Sequence, residues 1–156
     1  MLIKVAAVGQ RMPRWVSMAW QEYAQRFPRS VRLELAEIPL ERRGRNADIA
    51  RLRTQEGIAL MNSAPKRARS ISLDVGGKQW STQDLAVRLE DWMAGGRDIC
   101  LMVGGPDGLS AECLSFAESS WSLGPLTFPH PLVRVVLAEQ LYRAWTIVNH
   151  HPYHRE

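Results

Sequence analysis

The sequence predicts a single α/β domain over residues 1–156, a parallel sheet with helices on both faces. Three observations carry this expectation. Short apolar runs alternate with stretches of helical period along the whole chain. The first run, Leu2 to Val8, is apolar but for Lys4 and ends at Gly9, as a buried strand does. No repeat, low-complexity segment or linker divides the 156 residues, and that length suits one domain with a sizeable core.

The elements follow in order. Pro13 can open a helix at its first turn, and Trp15, Met18, Ala19, Tyr23 and Phe27 recur at helical spacing until Pro28 stops the pattern. Val31 to Ile38 alternates Val31, Leu33 and Leu35 with polar residues, a half-buried strand. Pro39 to Asn46, with Glu41-Arg42-Arg43-Gly44-Arg45, reads as a mobile basic loop. Ala47 to Ser63 resumes a helix with the stripe Ile49, Leu52, Ile58 and Met61, ended by Pro65. Ser70 to Asp74 is a strand, and Gly76-Gly77-Lys78 a turn. Ser81 and Asp84 form an acidic capping box for a helix faced by Leu85, Leu89, Trp92 and Met93, which Gly95-Gly96 closes. Ile99 to Val103 is the fourth strand, Ser110 caps a short helix to about Ser119, and a last strand lies near Ser122 to Gly124. A long apolar helix, Pro131 to Asn149, leads into the closing His151-Pro-Tyr-His-Arg-Glu156. In such sheets ligands sit beyond the carboxyl ends of strands, which singles out the loops after Asp74, Val103 and Gly124.

Composition narrows the class. Hydrophobic content of 46% with 23% charged residues is that of an ordinary soluble domain. The first apolar run is too short for a signal peptide or a membrane span, and no other segment reaches that length without charges. Cys100 and Cys113 make neither a metal pattern nor a disulfide framework, so a reduced, cytoplasmic setting is the simplest reading. The formal charge is +4, and only Lys4, Lys66 and Lys78 of the 20 basic residues are lysines. Arginine grips phosphates and stacks on bases, which suits RNA; a GC-rich coding composition gives the same bias.

Several motifs carry chemistry. Gly104-Gly-Pro-Asp-Gly108 lets backbone approach a ligand, or is only a turn; it is no dinucleotide or nucleoside-triphosphate loop. Trp121 to His130 mixes Pro and Gly with Leu123, Leu126 and Phe128, which a plain loop would expose. Either the loop packs on the core, or its amides and carbonyls meet an adenine-like edge. The terminal helix is apolar on more than one side, through Leu132, Val133, Val135, Val136, Leu137, Leu141, Trp145, Ile147 and Val148. A second copy would cover the surplus, giving a homodimer; a fully buried central helix is the other reading. Glu139 and Arg143 can pair on one face of that helix. His150 and His154 have helical metal spacing, but Pro152 interrupts them and no acidic or cysteine ligand adjoins, so no metal is expected. Tyr153-His154-Arg155 offers a hydroxyl, an imidazole base and a fixed cation.

These residues resemble the ribosomal RNA large subunit methyltransferase H family, a branch of the SPOUT superfamily of knotted methyltransferases. The resemblance lies in Gly104 to Gly108, in Ser122-Leu123 with Leu126-Thr-Phe-Pro-His130, and in Arg134. It continues through Glu139 to Ala144 and the closing Pro152-Tyr-His-Arg155, with Val8-Gly9 and Arg43 to Ala47 nearer the start. It covers essentially the whole chain. It implies a five-stranded domain with a carboxyl-terminal trefoil knot, an obligate homodimer, and S-adenosylmethionine held by Leu73, Gly104, Leu123, Gly124, Pro125, Leu126, Thr127 and Phe128. The implied reaction is methylation of N3 of a pseudouridine in large-subunit ribosomal RNA on the assembled ribosome. On that reading His154 is a base or proton relay, Arg155 stabilises developing negative charge on the uracil-like ring or grips a phosphate, and Tyr153 positions the nucleobase. Arg42, Arg43, Arg45, Arg134 and Arg143 are candidate RNA contacts, and the tail of one subunit is expected to complete the cofactor pocket of the other. The competing readings are a non-catalytic ribosome-binding or assembly factor that keeps the fold, and a methyltransferase of tRNA or protein.

Overall fold

A computed structural model describes residues 1–155; Glu156, the last residue of the expected domain and tail, lies outside them. The elements are β1 (Leu2–Val8), α1 (Arg14–Ala24), β2 (Arg32–Ile38), α2 (Ile49–Ser63) and β3 (Arg69–Gln79). They continue as α3 (Thr82–Gly95), β4 (Ile99–Val103), α4 (Ala111–Phe116), β5 (Ser119–Ser122) and α5 (His130–Val148), with a closing 3₁₀ turn at Pro152–Arg155. The five strands form one parallel sheet in the order β2-β1-β4-β3-β5.

Side-chain alternation on the central strands feeds two cores. Ile3, Val5 and Ala7 of β1, with Ile99, Leu101 and Val103 of β4, pack against Trp20 of α1, Leu85, Leu89 and Trp92 of α3, and Leu137, Leu141 and Ala144 of α5. Ala6, Val8, Cys100 and Met102 point the other way, against Leu60 of α2 and Cys113 of α4. Strands buried on both faces must be apolar throughout, which is why β1 and β4 read as runs rather than alternations.

Four expectations are corrected. Gly76-Gly77-Lys78 is not a reversal: β3 runs on to Gln79, bulging out after Leu73 and rejoining β5 at Lys78. A Cβ at Gly77 would stand 2.7 Å from the Ser120 carbonyl carbon, so this glycine allows two backbones to approach closely. The last strand starts at Ser119, not Ser122, because Ile71 of β3 pairs with Ser119; α4 therefore ends at Phe116. The buried face of α2 is Glu56, Gly57 and Leu60 rather than the expected stripe, and Ile49 and Ile58 are exposed. A Cβ at Gly57 would lie 2.4 Å from Ser110 Oγ, so α2 sits directly on the start of α4. Helix α1 stops at Ala24, and two tighter i→i−3 bonds, Arg26 to Tyr23 and Phe27 to Ala24, carry the chain to Pro28.

The capping box of α3 is present: Ser81 Oγ accepts from the Asp84 amide while Asp84 accepts from the Ser81 amide at 2.9 Å. Gly96 closes the helix in the left-handed region, at φ 68°. On α5, Leu137, Ala138, Leu141 and Ala144 are buried, while Leu132, Val133, Val135 and Val136 remain half-exposed. No helix of the described residues is long and apolar enough to cross a membrane.

Candidate active site

A cleft of about 160 Å³ opens where β3 bulges out after Leu73, beside the carboxyl end of β5. Leu73, Asp74 and Val75 line it from β3, and Ser122 and Leu123 continue from β5. Gly124, Leu126, Thr127, Phe128 and, from α5, Val133 complete the lining. The loop after β5 turns on Gly124, whose φ of 112° suits a residue without a side chain, and whose amide donates to Ser122 Oγ at 3.2 Å. Val75 and Leu126 are 89% and 71% exposed, so two apolar side chains stand open at the cleft.

Six of the eight cofactor positions expected from the resemblance meet here: Leu73, Leu123, Gly124, Leu126, Thr127 and Phe128. Gly104 and Pro125 are not among the lining residues. Gly104 is glycine for its own turn, since a Cβ there would stand 2.6 Å from the Gly108 carbonyl carbon. The turn does lie beside the cleft, because Val103 pairs with Leu73 across β4 and β3. Sequence reasoning missed Asp74, Val75, Ser122 and Val133 as lining residues. Asp74 had one available signal, its place at the end of the expected strand Ser70 to Asp74, although β3 runs on past it to Gln79.

Asp74 is the one ionisable residue in the lining, and its Oδ2 accepts from the Gly76 amide at 2.9 Å. Apolar walls with a single carboxylate suit a ligand that carries a flat apolar part and a positive charge. S-adenosylmethionine has both. The cleft is smaller than a typical pocket for such a molecule, so the ligand would extend over Val75 and Leu126.

The tail packs elsewhere. The Tyr153 hydroxyl donates to Glu139 Oε1 at 3.2 Å and lies 3.4 Å from that of Tyr23. Its ring meets Tyr142 edge-on at 4.9 Å and the Arg143 guanidinium at 5.0 Å. Burial, then the bond with Tyr23 and the nearby Glu139, push its phenol well above the ordinary tyrosine range, so Tyr153 keeps its proton. His154 is half-buried, and its Nδ1 is hidden without a hydrogen-bond partner among the described residues. Arg155 is exposed. Val133 of the cleft and Tyr142 under the tail are nine residues apart on α5, roughly 13 Å along its axis. Within one chain the tail therefore does not line the cleft.

The arginines divide. Arg134 is fully buried: Nη1 donates to Glu37 at 2.7 Å and Nη2 to the Gly9 carbonyl at 2.6 Å. This corrects its expected role, because a guanidinium enclosed in the core does not reach a polyanion. Beside it, burial and then the Arg134 charge push His130 below the usual histidine range. Arg143 pairs with Glu139 at 2.7 Å, as the spacing suggested. Arg43 is bonded to Glu56 and Asp107, so the expected mobile loop is anchored at its middle; Arg42 and Arg45 are exposed. The described residues hold no cluster of three or more His, Cys, Asp or Glu that could take a metal.

A parallel α/β sheet with a cleft between the β3 bulge and the loop after β5 is a setting for a nucleotide-type ligand, and the family match names the class. The family model described as "Predicted SPOUT methyltransferase" matches residues 1–154, and the chain belongs to that family. It is a methyltransferase. Its sequence is 55% identical to ribosomal RNA large subunit methyltransferase H of Ectopseudomonas mendocina (strain ymp) over 155 residues, 99% of this chain and 100% of that protein.

Proposed function

We propose that the protein transfers a methyl group from S-adenosylmethionine to N3 of a pseudouridine in large-subunit ribosomal RNA, acting in the cytoplasm on the assembled ribosome. The observation that carries this is the cleft: apolar walls and one carboxylate between the bulge of β3 and the carboxyl end of β5. The near full-length likeness to a protein named as a large-subunit methyltransferase supports the RNA substrate. The functional unit is a homodimer, supported by the half-exposed Leu132, Val135 and Val136 on α5 and by the distance between tail and cleft in one chain. The carboxyl-terminal segment is threaded as a trefoil knot, as the family resemblance implies.

S-adenosylmethionine supplies, when bound, a methyl group made electrophilic by its sulfonium. Leu73, Leu123, Leu126 and Phe128 would enclose its flat apolar part, and Asp74 would face its positive charge. The chain must then deal with the nucleophile, an imide nitrogen that carries a proton. His154, reaching the cleft from a second copy of the chain, would take that proton while the nitrogen gains the methyl, whose bond to sulfur breaks to leave S-adenosylhomocysteine. Arg155 offsets negative charge on the ring. Tyr153, which holds its own proton, positions the tail and is not the base. Arg42 and Arg45 are the exposed loop arginines that supply phosphate contacts.

Transfer of labelled methyl should be measured with assembled ribosomes, isolated large subunits and naked RNA in parallel. Label on a pseudouridine of ribosomal RNA in assembled ribosomes is the expected result. Label on naked RNA would remove the ribosome requirement. Cofactor binding with no label on any of the three would turn the reading to a tRNA or protein substrate, and no cofactor binding to an assembly factor.

A further inference from the structure

The loop after β2 and the turn after β4 are tied together through one buried carboxylate. Glu56 on α2 is 3% exposed and accepts from Arg43 Nη2 at 2.7 Å and Nη1 at 3.0 Å. Arg43 Nη1 also donates to the Glu41 carbonyl at 2.7 Å, and its Nε donates to Asp107 Oδ2 at 2.8 Å. Glu56 accepts in addition from the Glu41 amide at 3.2 Å. The fork of Arg43 thus faces two carboxylates and a carbonyl, and its charge is already answered inside the protein.

Asp107 stands in the turn Gly104 to Gly108, which closes on itself: the Gly108 amide donates to the Gly105 carbonyl at 3.0 Å. Arg53 reaches the Asp107 carbonyl at 3.4 Å. A Cβ at Gly105 would lie 3.6 Å from Glu56 Oε1, so the turn rests against the same carboxylate. The turn begins directly after Val103, whose strand partner Leu73 lines the cleft. A closed turn held at its tip by a side chain from another loop has a set orientation toward that cleft.

We propose that Arg43 is a positioning residue: with Glu56 it holds Asp107 and the Gly104 to Gly108 turn against the cofactor cleft, and it is not a contact to RNA. This rests on the cofactor reading of the cleft. A lysine cannot replace it, because one point charge cannot bridge Glu56 and Asp107 as a planar fork does.

The test uses Arg43→Lys and Asp107→Asn in the full-length protein. Asp107→Asn leaves the buried Arg43–Glu56 pair whole, so the fold survives it. Calorimetry with S-adenosylmethionine should show both variants binding about tenfold more weakly, because the supporting contacts of a site set its geometry. The amides of Gly104, Gly105, Asp107 and Gly108 should exchange faster in both. In Asp107→Asn the cofactor KM should rise while kcat at saturating cofactor holds. A third variant, Arg43→Gln, removes the charge that a phosphate contact would need, and the salt dependence of its ribosome KM should match wild type. Unchanged cofactor affinity and amide exchange in both Arg43→Lys and Asp107→Asn, with wild type binding normally, would overturn the proposal. If wild type binds no cofactor while exchange at 104–108 still rises in the variants, the latch stands and the reading of the cleft falls.

Discussion

Replacing His154 with alanine should lower kcat by about 10²- to 10⁴-fold, the range for a lost general base, and change cofactor affinity little. The hidden Nδ1 of His154 lacks a hydrogen-bond partner among the described residues, and buried polar atoms of that kind are uncommon unless a ligand or a partner chain meets them. The tail packs on α5 away from the cleft of its own chain, so under the proposed function His154 serves the cleft of a second copy. Mixed dimers separate the two arrangements. One subunit carries His154→Ala, the other a blocked cleft, such as Gly124→Trp, where φ is 112°. If the tail acts across the dimer, mixing two inactive proteins restores one working site of the two. If it acts within its own chain, the mixture stays inactive. Equal loss of turnover and cofactor affinity in His154→Ala would make the residue structural and remove it from the chemistry.

Arg134→Met should destabilise the protein by about 3 kcal/mol, the lower end for breaking a buried ion pair. Arg134 has no exposed surface. Its loss leaves the Gly9 carbonyl, now met at 2.6 Å, without that donor. Glu37 is 38% exposed and can turn to water, which keeps the cost from being larger. For a chain of this size the midpoint of thermal unfolding should fall by roughly 6–12 °C. Thermal denaturation of the two proteins at equal concentration measures it. A midpoint within a degree of wild type, with weaker ribosome binding at low salt, would return Arg134 to the RNA contacts.

Much of this architecture could be read from residue pattern alone. β1 and β4 were legible because strands buried on both faces cannot tolerate polar side chains, and their boundaries follow the apolar runs. The α3 capping box was legible because its bonds are local. β5 was misplaced because Ser119 and Ser120 have little intrinsic preference for a strand and extend only through pairing with β3. Gly76-Gly77 misled for a related reason: a glycine pair signals a turn and a close strand approach equally well, and only the position of Ser120 decides. In the cleft, the loop after Gly124 was picked out by its buried-type side chains, whereas Asp74 gave nothing to set it apart from other strand-end carboxylates. The arginines were the least legible. Their charge is visible in a sequence, but whether it faces water or is answered by Glu37, Glu56 or Glu139 depends on residues far along the chain.

The sheet order has a kinetic consequence. β1 takes β2 as one neighbour early in synthesis, but its other neighbour is β4, with Ile3 opposite Ile99. Until about two thirds of the chain has been made, the centre of the sheet is therefore an open edge. The last helix then adds the Arg134 bond back to Gly9, and its apolar face completes the first core. Contacts so distant in sequence close slowly, and a nascent amino-terminal half cannot form a finished unit by itself. The centre of the sheet is therefore expected to close only after β4, Ile99–Val103, has left the exit tunnel.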